Sequence, residues 1–234
     1  MESTTKQIAL IIGANRGTGL ELARTLAHDH DFHVVLGSRS SELGSAAAAE
    51  LHQSGLSASF VALDICADTS ITAAAQYVGK THGHIDVLIN NAGVHREAFQ
   101  HSFNTNVTGA ALVTDAFVPL LYKAPLPRIL FIGSRLGSIS TRLDSNYVWD
   151  WVDFLPYRSS KTALNMLAAH YANRFKDEGW KVNVVCPGYV KTRTGGSNGD
   201  ITTEEAMPGL VRLCTLGEDG ETGTFSDVDE TLPL

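Results

Sequence analysis

The sequence predicts an α/β protein built as one doubly wound parallel sheet with helices on both faces. Three observations carry that prediction. Short apolar runs alternate with helix-patterned segments along the whole chain. The first apolar run, residues 8 to 12, ends in the glycine-rich turn Gly13-Ala14-Asn15-Arg16-Gly17-Thr18-Gly19. The residues able to do chemistry recur where those apolar runs end. Regular β–α alternation with short apolar strands calls for a parallel sheet made from right-handed crossovers. Ligands of such sheets sit beyond the carboxyl ends of the strands.

Taken in order, Ile8 to Ile12 is a strand buried on both faces, and Leu20, Leu22, Ala23 and Leu26 follow at helical spacing. Backbone N–H groups at the start of that helix are unpaired, the dipole there is positive, and glycines admit a phosphate to close range. An ordinary βα turn needs one or two glycines. Three, at 13, 17 and 19, mark a nucleotide site, with Asn15, Arg16 and Thr18 between them. The spacing is neither GxGxxG nor a P-loop. Phe32 to Leu36 is the second strand, followed by an alanine-rich helix from about Ser41 to Ser54.

The second strand runs out into Ser38-Arg39-Ser40. An acidic residue here would bind a ribose 2′-hydroxyl and repel a 2′-phosphate. None is present. Arg39 presents a planar fork suited to phosphate, Ser38 adds a hydroxyl, and Arg16 is a second cation nearby, so NADP(H) is expected over NAD. The plainer reading makes Arg39 a decoration of a solvated helix start.

Ala58 to Leu63 is the third strand, with Ile71 to Val78 on the next helix. Asp64, beside Ile65, either accepts from an adenine amino group or caps that helix, and both readings stand. Ile85 to Ile89 is the fourth strand. It ends in Asn90-Asn91-Ala92-Gly93, whose small residues let backbone approach a cofactor and whose amides can tie strands together. Phe99 to Tyr122 is expected as one long helix. Arg128 to Ile132 is the fifth strand, ending in Gly133-Ser134. Tyr157 to Lys176 is another long helix, carrying Tyr157 and Lys161 one turn apart on the same face. Lys181 to Val185 is the sixth strand, before Pro187-Gly188. The tail is weakly patterned, with a short helix over Thr203 to Cys214 and an edge strand near Thr224-Phe225.

Composition fits one domain large enough for a full core: 234 residues, 44% apolar and 18% charged. A net charge of −7 argues against nucleic acid or an anionic membrane as main partner. Cys66, Cys186 and Cys214 lack paired spacing, and the nine histidines lack ligand spacing, so neither a disulfide framework nor a metal site is expected. With no apolar stretch of spanning length, a cytoplasmic protein is expected, and Asn106-Val107-Thr108 carries no weight as a glycosylation motif.

The chain resembles the short-chain dehydrogenase/reductase family. The resemblance rests on the Gly13/Gly17/Gly19 turn, Asp64, Asn90-Asn91-Ala92-Gly93, Asn106 within Asn104-Thr105-Asn106-Val107-Thr108-Gly109, Ser134, Tyr157/Lys161 and Pro187-Gly188. Gly-Ala-Asn-Arg-Gly, Ser38-Arg39 and Tyr157-Arg158-Ser159-Ser160-Lys161-Thr162-Ala163 are most similar to the NADPH-dependent carbonyl reductase and sniffer-like branch. Ile12 and Gly133 depart from the family pattern at non-catalytic positions. The resemblance implies a single Rossmann-type domain over residues 1–234 and a catalytic set of Asn106, Ser134, Tyr157 and Lys161. The cofactor would run over the glycine turn, Ser38, Arg39, Asp64, Ile65, Asn91, Ala92, Gly93, Tyr157, Lys161, Pro187, Gly188, Val190 and Thr192. Ser134 would donate to a carbonyl oxygen, Tyr157 would deliver the proton, and Lys161 would hold the nicotinamide ribose and lower the Tyr157 pKa. Asn106 would anchor a water that extends the proton path. Its plainer reading is a helix-kinking amide.

Segments bordering the sheet crevice are expected to form the pocket for a small-molecule carbonyl substrate. These are His95, the stretch holding Leu136, Trp149, Trp151 and Phe154, and a lid of about 189–214 starting at Tyr189. Aromatics at the rim suggest an apolar or aromatic substrate; the tryptophans equally suit loop packing or a subunit contact. Family members often pair through the helices placed here at 99–122 and 157–176, whereas carbonyl reductases with longer inserts can be monomeric. Monomer, homodimer and homotetramer all stay open. Two other function classes remain: the same fold with non-redox chemistry (epimerase, dehydratase or cyclase), and a non-catalytic NADP-binding sensor or scaffold.

Overall fold

The computed structural model describes residues 6–94, 98–144, 153–192 and 198–233. Among them lies a seven-stranded sheet in the order β3-β2-β1-β4-β5-β6-β7, with every pair parallel. The strands are β1 Ile8–Ile12, β2 His33–Ser38, β3 Ala58–Ala62, β4 Val87–Asn90, β5 Arg128–Ile132, β6 Lys181–Val185 and β7 Phe225–Ser226. Period-two alternation divides the core. From β1, Leu10 and Ile12 face one apolar layer, while Ala9 and Ile11 face the other.

Helices α1 (Gly17–Asp29) and α2 (Ser41–Gln53) cover one face and α3 (Asp68–His82) the other. The strand order reverses between β1 and β4. A crevice opens at that switch point, above the carboxyl ends of the strands.

The expected helix 99–122 is not continuous. It is split into α4 (Phe99–Phe103), a π-helical turn (Asn104–Gly109) and α5 (Ala110–Leu121). The turn holds poor helix formers and is pulled by Asn106, whose Oδ1 accepts from the Val94 backbone N–H (2.9 Å). Its Nδ2 donates to Val94 O (3.0 Å) and Ser160 Oγ (2.9 Å). Gly109 is needed here, since a Cβ would stand 2.7 Å from the Ile65 carbonyl oxygen.

Beyond β5, a 3-10 turn (Arg135–Gly137) and the short α6 (Ile139–Leu143) were not apparent from periodicity. α7 spans Leu155–Arg174, two residues earlier than expected, with Pro156 in its first turn. The tail helix α8 begins at Met207 rather than Thr203. Met207, Leu210, Leu213 and Cys214 bury its apolar face in the layer with α1, so this part of the expected lid is core. Asp64 caps no helix. The residue before α3 is Ala67, and Asp64 Oδ1 instead accepts from the Cys66 N–H (3.0 Å).

Candidate active site

The crevice holds a cavity of about 620 Å³, in the range of small-ligand and cofactor sites. Its floor at one end is the turn between β1 and α1. Gly13 and Gly17 have φ of +75° and +57°, conformations that side chains resist. A Cβ on Gly19 would stand 2.5 Å from Asn91 Nδ2. That amide ties β4 to the end of β1 by donating to Ile12 O (2.9 Å) and Gly13 O (3.1 Å). No side chain caps α1, and its first turn carries no acidic residue. The helix therefore presents unpaired N–H groups and the positive end of its dipole.

Arg16 and Arg39 are exposed on the cavity rim. Among the described residues neither has a carboxylate partner. These features fit a dinucleotide: a Cβ-free cradle and an uncapped helix start for its phosphates, with two exposed guanidinium groups on the rim.

The opposite end is built by β5, α7 and the loop after β6. Ser134 follows β5 in extended backbone, and its Oγ accepts from the Leu136 N–H (3.2 Å). Ser134 is hydrogen-bonded to Tyr157. One turn along α7, Lys161 is buried, and its Nζ donates to Ile132 O (2.7 Å) while lying 5.7 Å from the centre of the Tyr157 ring. Gly93 closes over this group: a Cβ there would meet Asn106 Oδ1 at 3.4 Å and Lys161 Nζ at 3.6 Å.

Burial pushes the Tyr157 phenol up to about 12, against the opposing pull of the Ser134 hydrogen bond. Burial also lowers the Lys161 ammonium to about 8. The phenol is raised, against the expectation that Lys161 lowers it. Desolvation is the largest cause, and Lys161 lies toward the ring with its ammonium committed to the Ile132 carbonyl.

Nearly all the sequence-predicted cofactor and catalytic positions line this one cavity: Gly13, Asn15 to Gly19, Ser38, Arg39, Asp64, Ile65, Asn91 to Gly93, Ser134, Tyr157, Lys161, Pro187, Gly188, Val190 and Thr192. Asn106 is the exception. It sits behind the wall with both amide hydrogens used by Val94 and Ser160, so any water it anchors is not held by its Nδ2. Leu136, Phe154 and Tyr189 also line the cavity. Phe154 does so in the left-handed region (φ +42°), unusual for an aromatic residue. His95, Trp149 and Trp151 lie outside the described residues.

Sequence reasoning missed Leu63, Cys66, Val94, Thr105, Arg135 and Cys186 as lining residues. Arg135 and Cys186 each directly adjoin a motif that was recognised. Extending every strand-end motif by one residue would have found both.

The short chain dehydrogenase family model matches residues 7–202. The short-chain dehydrogenase anuI of Penicillium roqueforti is 36% identical, with 99% of this chain and 98% of that one covered. The NADPH-bound carbonyl reductase from chicken fatty liver superposes with a TM-score of 0.84 at 29% identity, covering 98% of this chain and 99% of that one. The carbonyl reductase Sniffer of D. melanogaster shares the fold (TM-score 0.83, 22% identity, 98% of this chain and 100% of that one). The turn at 13–19 and the Ser134, Tyr157 and Lys161 group thus sit in a family setting that accounts for both: the chain belongs to the short-chain dehydrogenase/reductase family, with carbonyl reductases among its structural neighbours.

Proposed function

We propose that the protein is an NADPH-dependent carbonyl reductase that reduces a ketone or aldehyde, with Tyr157 as general acid. The observation that carries this reading is one cavity lined by Ser134, Tyr157 and Lys161 at one end and by Arg16 and Arg39 at the other. NADPH, when bound, supplies a hydride. The glycine turn and α1 would hold its pyrophosphate, and Arg39 with Arg16 and Ser38 its 2′-phosphate. Asp64 would border its adenine, and Lys161 would bind the nicotinamide ribose.

The reduction needs a proton on oxygen as well as a hydride on carbon. Ser134 would donate its hydroxyl proton to the substrate oxygen as negative charge develops there. Tyr157, with its phenol pushed up to about 12, keeps its proton at neutral pH, the state from which an acid donates. Lys161 would supply the path by which Tyr157 recovers a proton. Leu136, Phe154 and Tyr189 give the substrate end an apolar wall, which favours an apolar or aromatic carbonyl compound. The described residues contain no helix long and apolar enough to cross a membrane. We place the activity in the cytoplasm, with a small molecule rather than a nucleic acid or membrane as partner.

The test is NADPH oxidation with a panel of ketones, aldehydes and quinones. Turnover that Tyr157→Phe abolishes supports the reductase. Tight NADPH binding without any turnover would favour a sensor, and product formed without net cofactor oxidation would favour non-redox chemistry.

A further inference from the structure

We propose that Arg135 and Asp227 are positioning residues that hold Ser134 in its working orientation, so that the hairpin after β7 acts as part of the active site. This inference rests on the reductase reading above. Arg135 directly follows Ser134 and is fixed at both its ends. Its backbone N–H donates to the Cys186 Sγ (3.3 Å). Its side chain reaches across the end of the sheet, where Nε donates to Asp227 Oδ2 (2.9 Å) and Nη2 pairs with the same oxygen and with Glu230 Oε1 (3.0 Å).

Asp227 is itself immobilised. It is 8% exposed, and its Oδ1 accepts from the N–H groups of Asp229 (3.0 Å) and Glu230 (2.9 Å). Its own N–H donates to Glu230 O (2.9 Å), and Ser226 pairs with Thr231 to close the hairpin. The hairpin is bonded in turn to the strand next to Ser134, through the Cys186 N–H to Ser226 O (2.8 Å).

Ser134 otherwise lies two residues past β5 and opens a single 3-10 turn, a segment with little stiffness of its own. Its hydroxyl must point at Tyr157 and at the substrate oxygen together. A guanidinium fork anchored on a partly buried carboxylate fixes direction as well as distance. Within the turn that follows Ser134, this is the contact that reaches another part of the chain through a charged side chain. A misplacement of about 1 Å at a catalytic group costs roughly 100-fold in rate. The C-terminal hairpin therefore acts mainly on the chemical step, because the glycine turn and the two rim arginines, which would hold the phosphates of the cofactor, lie at the other end of the cavity.

The experiment compares Arg135→Met and Asp227→Asn, each alone and each in a Ser134→Ala background, using the full chain. In the native background each variant is expected to lower kcat on the order of tenfold, while NADPH affinity measured by fluorescence titration stays within about twofold. In the Ser134→Ala background the further loss is expected to be under about twofold, since residues that act as one unit are not additive. Native kcat, an equal loss in both backgrounds, or a matching loss of NADPH affinity would each overturn the proposal. The last two are the signatures of a merely structural role. A wild type without turnover overturns the functional reading and this inference together, whereas turnover with unaffected variants overturns this inference alone.

Discussion

Replacing Lys161 with Met should destroy activity and yet stabilise the ligand-free protein near neutral pH. Lys161 is 5% exposed, and burial lowers its ammonium from the ordinary 10.5 to about 8. At about 1.4 kcal/mol per pH unit, that drop means the buried charge costs about 3 kcal/mol of stability below pH 8. The sign follows from a depressed folded-state pKa. The Lys161 contribution is favourable above 10.5, and is lost as pH falls through about 8.

Met fills a similar stem volume but leaves the Ile132 carbonyl without its 2.7 Å donor, which costs about 1–2 kcal/mol. The net gain is about 1–2 kcal/mol at pH 7, a rise in Tm of roughly 2–6 °C for a domain of this size. Thermal melts of both proteins from pH 7 toward pH 10 provide the assay. The advantage of the variant should shrink across the window from about 8 to 10.5. A Lys161→Met protein that is less stable at pH 7, by an amount that does not change toward pH 10, would refute the reasoning.

Arg39→Asp is expected to weaken NADPH binding by about tenfold or more while changing NADH binding little, since only the extra phosphate meets that guanidinium; parallel titrations of the two cofactors check it. Tyr157→Phe should lower kcat by about 10²–10⁴-fold with NADPH affinity kept, as expected for loss of a general acid. Asn106→Ala removes three hydrogen bonds that pin the π turn to Val94 and Ser160. It is expected to cost about 2–3 kcal/mol in urea denaturation. At the far end of the sheet, burial and the neighbouring His82 and Lys6 charges lower His33 to about 4. A lowered folded-state value contributes stability above pH 6.5 that is lost as pH falls toward 4. His33→Asn should flatten the fall of Tm across that window.

The parts of the site that were legible in the sequence are those set by local geometry. Gly13 and Gly17 occupy positive-φ positions, and the 13, 17, 19 spacing announces them. Tyr157 and Lys161 share a helix face by spacing alone. The strand runs are apolar because both sheet faces are covered, which is why all seven strands could be placed to within two residues at both ends. What stayed hidden depends on contacts between distant residues. The π turn falls on the poor helix formers Asn104–Gly109, but its fixing contacts, Asn106 reaching back to Val94 and forward to Ser160, are not local. Arg135 meets Asp227 through a fold that brings β5 and the tail together. The Tyr157 phenol rises rather than falls because burial, which has no sequence signature, outweighs the Ser134 hydrogen bond.

The account depends most directly on a hydride passing from NADPH to a carbonyl carbon while Tyr157 supplies the proton. The decisive measurement uses NADPH deuterated at the nicotinamide C4 position, with wild type and Tyr157→Phe compared at saturating cofactor. Deuterium appearing on the carbinol carbon of the wild-type product, with transfer nearly abolished in the variant, is the result expected. Label retained on the cofactor while product forms, or equal transfer by both proteins, would contradict it.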